Sequence, residues 1–239
     1  MSIKDKIAIV QQQLKQAAIL SGRTQEDIRL IAVSKTKSTE MILQALAAGQ
    51  SAFGENRVQE ALGKIEDLTK LPLVEWHLIG HLQKNKVKFC PGNFQWIHTI
   101  DSTELVEKLE ARSAFAQKKI NVLLQVNLSR EITKSGLHDW EDILQVSETI
   151  LSGKWLKLRG LMTIPPPNIG ETPTRKIYEK LRLWRDKLKQ DLDSPEITEL
   201  SMGMTADFHW AIQEGATMIR VGSAIFGERN EDMDSSTNM

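Results

Sequence analysis

The chain has 239 residues, 41% of them hydrophobic, with 31 lysines and arginines against 31 aspartates and glutamates. A net charge of zero argues against nucleic-acid binding by bulk electrostatics, and a single cysteine, Cys90, leaves neither a disulfide framework nor a cysteine-rich metal centre. No apolar run approaches the roughly 18 residues of a membrane span, so the expectation is a soluble cytoplasmic protein with one sizeable core.

The N-terminal MSIKDKIAIVQQQLKQ has the pattern of a polar amphipathic helix rather than a signal peptide. Short apolar runs then alternate with helical patterns. RLIAVSK (29–35) precedes a predicted helix over 38–48, and SAFGE (51–55) precedes one over 56–68. EWHLIG (75–80) is followed by 81–88, FQWIHTID (94–101) by 102–117, and NVLLQVNL (121–128) by 138–152. LKLRGLMTI (156–164) leads to 171–190, and EITELSMG (196–203) to 205–214. The eighth run, MIRVGSAIFG, covers 218–227. Ser38, Ser102 and Thr205 stand where helix N-caps belong, and Gly49 and Gly215 where C-terminal glycines belong.

Strands alternating with helices predict a parallel sheet, because parallel neighbours need a long crossover. Eight such units closing on themselves make a (β/α)8 TIM barrel. An open doubly wound sheet is the alternative, but it usually carries a glycine-rich phosphate loop after its first strand. The first strand here runs into KTKST. One domain is expected over 1–229, followed by an acidic, polar, disordered tail over 230–239. The stretch TIPPPNIGETP (163–173) is excluded from helix interior and central strand by its three prolines, and falls on the mouth side after the sixth strand.

Sites in such barrels lie at the carboxyl ends of the strands. Lys35 ends the first strand, on the face shared by Ile31 and Val33. Asn56 follows the second strand, and His77 lies on the third with His81 just beyond. Ser201, Gly203, Met204 and Thr205 end the seventh, and Gly222 and Ser223 end the eighth. The last six read as a phosphate cup of small residues and backbone amides, although ordinary turn chemistry accounts for them equally well. Arg220 alternates with Met218 and Gly222 on one face of a strand covered on both sides. A buried guanidinium there needs an acceptor, either a ligand or a carboxylate such as Glu55 or Asp207. A lysine, a phosphate cup and a buried arginine together suit a phosphorylated aldehyde such as pyridoxal 5'-phosphate (PLP). Taken alone, Lys35 reads more simply as a solvated strand-end lysine. The KNKVK run (84–88) reads first as a solvated helix face, and second as a partner surface.

The blocks AVSKTKS, FGENRVQE, WHLIGHLQKNKVK, IHTIDS, LRGLMTIPP and LSMGMTADFHWAI…GATMIRVGSAIFGER resemble the YggS/PROSC family of pyridoxal phosphate homeostasis proteins, in its cyanobacterial, PipY-like form. The resemblance covers roughly residues 5–229. It implies a barrel related to the N-terminal domain of alanine racemase, with Lys35 carrying the cofactor as an aldimine. It also implies phosphate contacts from Ser201 and the SMGMT segment with Gly222 and Ser223, and Arg220 facing the pyridine nitrogen. Asn56 is placed near the ring and His77 at the site. Many members have serine where Thr205 stands, and threonine keeps the hydroxyl.

Arginine donates to a pyridine nitrogen and disfavours its protonation, which weakens the ring as an electron sink. Alanine racemase works with such an arginine but adds a second base, a tyrosine from a further domain. The one tyrosine here, Tyr178, falls in a predicted outer helix, and the barrel and tail take up all 239 residues. His77, His81 or Cys90 are the possible substitutes. No catalytic residue is assigned. The expectation is a monomeric carrier that holds and releases PLP for intracellular vitamin B6 and amino-acid homeostasis, with apo PLP enzymes as possible recipients. A small PLP-dependent amino-acid racemase or lyase is the alternative.

Overall fold

Eight apolar runs become eight strands in a computed structural model, which describes residues 1–69, 74–129 and 135–228. The strands are β1 (Arg29–Val33), β2 (Ala52–Glu55), β3 (Glu75–Leu78), β4 (Trp96–Ile100), β5 (Ile120–Gln125), β6 (Leu156–Met162), β7 (Glu199–Met204) and β8 (Met218–Val221). Each pairs in parallel with its successor, and β8 closes on β1 through Arg29↔Met218 to Ala32↔Val221. The result is the expected closed (β/α)8 barrel.

Around it stand α1 (Ile3–Leu20), α2 (Thr39–Ala47), α3 (Val58–Asp67), α4 (Thr103–Ala116), α5 (Trp140–Ser152), α6 (Glu171–Asp191), α7 (Phe208–Gln213) and α8 (Ser223–Phe226). The amphipathic N-terminus is α1. Ser2 and Asp5 cap it reciprocally, and Ile3, Ile7, Val10, Leu14, Ala17 and Ala18 form its buried stripe. That stripe packs against α7, α8 and α2, so α1 covers the closing seam of the barrel from outside. Ser38 and Ser102 accept from Met41 N–H and Leu105 N–H, as N-caps should.

Strand alternation divides the core. Ile31, Ala52, Trp96, Leu123, Met162 and Met218 fill the barrel interior, while their strand neighbours pack outward beneath the helices. Fully burying each such side chain contributes about 1.5–3 kcal/mol.

Three local expectations are corrected. Residues 81–88 do not form an α-helix; a 3-10 segment occupies Lys84–Phe89, and Pro91 follows immediately, where a longer helix could not continue. The helix expected over 205–214 begins only at Phe208. Thr205 is therefore not its N-cap, and the turn before it is held by Asp207, whose Oδ1 accepts the Met204 N–H at 2.6 Å. The eighth run is strand only to Val221, because its SAIF portion turns into α8. The 230–239 tail lies outside the described residues. Among the described residues, no helix is long and apolar enough to cross a membrane.

Candidate cofactor-binding site

The end of β1 turns sharply. Ser34 N–H donates to the Gly54 carbonyl at 3.0 Å, Lys37 N–H donates back to Ser34 at 3.0 Å, and Thr36 between them takes φ 61°. This turn presents Lys35, half-buried, to a cavity of about 350 Å3. Val33, Lys35 and Lys37 form one wall. Met204, Thr205 and Ala206 form another, with Arg220, Gly222 and Ser223 coming from β8 and its turn, next to β1 across the barrel seam. The Ser223 hydroxyl donates to Thr205 Oγ1 at 3.2 Å, so the two turns meet. Three cations line the cavity against one carboxylate, that of Glu228. Its volume is within the range of small-ligand sites. Two other hollows, of about 550 and 490 Å3, are larger, but neither joins a strand-end lysine to a buried arginine.

Arg220 forms part of the cavity floor and is 4% exposed. Its Nη2 donates to the Thr163 carbonyl at 2.9 Å and its Nη1 to Ser201 Oγ at 2.5 Å. Neither Glu55 nor Asp207 is its hydrogen-bond partner. Burial draws its pKa below the ordinary guanidinium value, opposed by the nearby Tyr178 and Asp207; a guanidinium stays charged regardless.

Below Arg220, the barrel interior holds polar side chains in series. Ser201 Oγ lies 2.9 Å from His98 Nδ1, His98 Nε2 lies 2.9 Å from His77 Nδ1, and His77 Nε2 lies 2.7 Å from Glu75 Oε1. Both imidazoles are fully buried. Burial holds His98 well below the ordinary imidazole value, reinforced by His77 and Arg220. Burial also lowers His77, partly opposed by Glu75. For Glu75, burial pushes upward, but the bond and charge of His77 together with Arg29 outweigh it and hold the carboxyl below its ordinary range.

A second polar cluster lies outside the strands, under the turn that carries Lys35. Glu55 points outward from β2 and is fully buried. Its Oε1 accepts from Ser34 Oγ at 2.6 Å and from Lys64 Nζ, on α3, at 2.8 Å. Lys64 also donates to the Ser34 carbonyl at 2.7 Å and to Glu60 at 2.7 Å, and Glu60 accepts the Thr36 N–H. Glu55 Oε2 has no partner. Burial raises the Glu55 pKa despite Lys64.

Of the ten residues expected at the site, Lys35, Met204, Thr205, Arg220, Gly222 and Ser223 meet in the cavity. The other four stand outside its walls. Ser201 lies one layer below, with its hydroxyl between Arg220 and His98 rather than in the cup. Gly203 has φ 91°, and a Cβ there would lie 2.6 Å from Ala211 Cβ, so it serves the packing of α7. His77 belongs to the interior series. Asn56 faces the neighbouring hollow with Glu60, His81 and Lys86, and its backbone packs so tightly on Gly80 that a Cβ there would meet the Asn56 carbonyl at 2.3 Å. The Met204 amide, one of the groups expected to face a phosphate, is taken by Asp207. Glu75 and Lys64 went unsingled in the sequence, and only the alternation of EWHL could have pointed Glu75 inward beside His77.

The sequence matches the family model for the N-terminal domain of alanine racemase over residues 10–230. It is 41% identical over 232 residues to the pyridoxal phosphate homeostasis protein of Pasteurella multocida (strain Pm70), covering 96% of this chain and 99% of that protein. The protein of the same name from Escherichia coli (strain K12) is 38% identical over 230 residues, covering 95% and 97%. Among solved structures, PipY of Synechococcus elongatus PCC7942 with PLP bound is 37% identical, with a TM-score of 0.84 over 95% of this chain and 100% of that one. Alanine racemase from Clostridium difficile 630 shares the fold alone, at 16% identity and a TM-score of 0.74 over 95% of this chain and 58% of that one. The chain thus belongs to the family of pyridoxal phosphate homeostasis proteins, built on the barrel of the alanine racemase N-terminal domain.

Proposed function

We propose that this protein holds PLP in the cavity at the β1–β8 seam, bound covalently through Lys35, and hands it on without turning it over. The observation that carries this reading is one cavity lined by both Lys35 and the buried Arg220, with the Thr205 and Ser223 hydroxyls hydrogen-bonded in its lining. The unprotonated Lys35 Nζ adds to the cofactor aldehyde, a C=N bond forms, and the aldehyde oxygen leaves as water. Lys37 and the two hydroxyls receive the phosphate. Arg220 donates to the pyridine nitrogen and keeps it unprotonated. PLP bound in a structure at 37% identity supports the choice of cofactor.

The rest of the cavity's surroundings favours a carrier over a catalyst. A racemase needs a base opposite the lysine. Tyr178 is fully buried in α6, and burial with the adjacent Asp207 pushes its hydroxyl pKa further up. Burial raises the Cys90 thiol to about 12. His77 already has a partner at each ring nitrogen, and His81 is exposed beside a different hollow. Apo PLP enzymes are the natural recipients of the released aldehyde.

Borohydride reduction of the loaded protein tests the anchor, with peptide mapping expected to find the cofactor on Lys35 and nowhere else; label on another lysine refutes it. Loaded protein in deuterated water with a panel of amino acids tests the carrier. No α-proton exchange above the level of Lys35→Ala is expected, whereas exchange at enzyme-like turnover would make this a racemase or lyase.

A further inference from the structure

With both imidazoles neutral, the four contacts inside the barrel have one proton arrangement, and the Glu75 end sets it. A guanidinium only donates, so Ser201 Oγ accepts from Arg220 and its own hydrogen is free for His98 Nδ1. At the other end, Glu75 also receives Arg29 Nη1 at 3.0 Å. As a carboxylate it only accepts, so His77 Nε2 carries a hydrogen. His77 Nδ1 is then an acceptor and His98 Nε2 a donor. Every donor points the same way, from Arg220 at the carboxyl-end mouth to Glu75 at the amino end of β3, through two neutral Nε2–H imidazoles. The reverse order would set a bare His77 Nε2 against a carboxylate oxygen at 2.7 Å.

We propose that Glu75, His77, His98 and Ser201 are positioning residues that aim Arg220 at the cofactor ring from the far end of the barrel. The role rests on the reading of the cavity as the PLP site. The Ser201 and Thr163 contacts fix two corners of the guanidinium fork and leave its remaining N–H groups for the cavity. His98 Nδ1 takes the Ser201 hydrogen and so turns the hydroxyl's lone pairs toward Arg220, and that acceptor depends in turn on His77 and Glu75. The far end is itself clamped. The His77 ring stacks on Trp96 at 5.8 Å and 7° between planes, and the Arg29 guanidinium lies 5.2 Å from the centroid of the Trp96 ring. A chain of aligned hydrogen bonds polarises its members mutually, so a change at Glu75 is felt at Arg220.

The test uses 15N-histidine-labelled full-length protein, free and PLP-loaded, as wild type, Glu75→Gln and Ser201→Ala. Glu75 reaches the surface, so Glu75→Gln should fold; Ser201→Ala carries the same test if it does not. In the cofactor-free wild type, long-range 1H–15N spectra are expected to show His77 and His98 both neutral with the proton on Nε2. Glu75→Gln, which weakens the acceptor of His77 Nε2–H, is expected to shift the 15N signals of both rings, move the visible band of bound PLP and weaken its Kd by about two- to thirtyfold. An Nδ1-protonated or doubly protonated ring at either position in wild type overturns the proposal. So does a Glu75→Gln protein whose band and Kd match wild type. A wild type that takes up no PLP overturns the reading of the cavity and the positioning role with it, while its tautomers still report whether the chain of donors exists.

Discussion

Two buried polar clusters flank the same cavity and hold its two principal cations by different physics. The interior series under Arg220 is a line of neutral imidazoles and a hydroxyl with every hydrogen bond made. The exterior cluster under Lys35 is a true ion pair, Glu55–Lys64, with one carboxylate oxygen left unmatched. A neutral relay can be buried without Born cost but depends on direction. A buried ion pair tolerates imperfect geometry but fails badly if one charge is removed. In the proposed site Arg220 faces a flat ring at a fixed angle, which suits the first device. Lys35 needs only its turn held in place, which suits the second.

The contrast can be broken at Lys64. Lys64→Met strands Glu55 as an uncompensated buried carboxylate, and the expected loss of unfolding free energy is about 3–5 kcal/mol by urea denaturation. A cost below about 1 kcal/mol would mean that Glu55 is already protonated, as its raised pKa permits. Acid separates the clusters next. The folded protein holds His77 and His98 below their unfolded values, so the unfolded chain binds protons first as pH falls below about 6.5. Stability from these two rings is full at neutral pH and is expected to fall as pH drops from 6.5 to 5.5. Glu55 works in the opposite sense, since a raised carboxyl favours the folded state as pH drops through the acidic range. A denaturation midpoint flat across pH 5.5–6.5 would contradict buried neutral imidazoles. The smallest effect belongs to Glu55→Gln, expected to cost under about 1 kcal/mol, because Lys64 keeps Glu60 and the Ser34 carbonyl.

The barrel was legible because parallel strands covered on both faces appear as short apolar runs, and eight of them alternated with helices. Alternation also placed Arg220 correctly, with Met218 inside and Ile219 and Val221 outside. Lys35 could be placed at a strand end, but its turn toward a cavity could not, since that depends on Thr36 at positive φ and on Glu60 from another helix. The direction of the Ser201 hydroxyl was illegible for a related reason. A serine three residues before a strand's end can face a mouth or a core, and His98, 103 positions away, decides which. Lys64 looks like any solvated helix lysine until β2 is seen to aim a carboxylate at it.

The placing of the cavity across the barrel seam has a consequence for when it can exist. Val33 and Lys35 come from the first strand unit, while Met204, Arg220 and Ser223 come from the last two. Lys37 spans the same gap, donating to the carbonyls of Gly227 and Glu228 at 3.2 and 3.0 Å. The contacts that shape the pocket are thus among the most distant in the chain, and such contacts form late. On the ribosome, a nascent chain has the lysine long before it has the arginine. Cofactor capture at the proposed site is therefore a property of the finished molecule, and a loaded state there would mark a chain whose last strand has met its first.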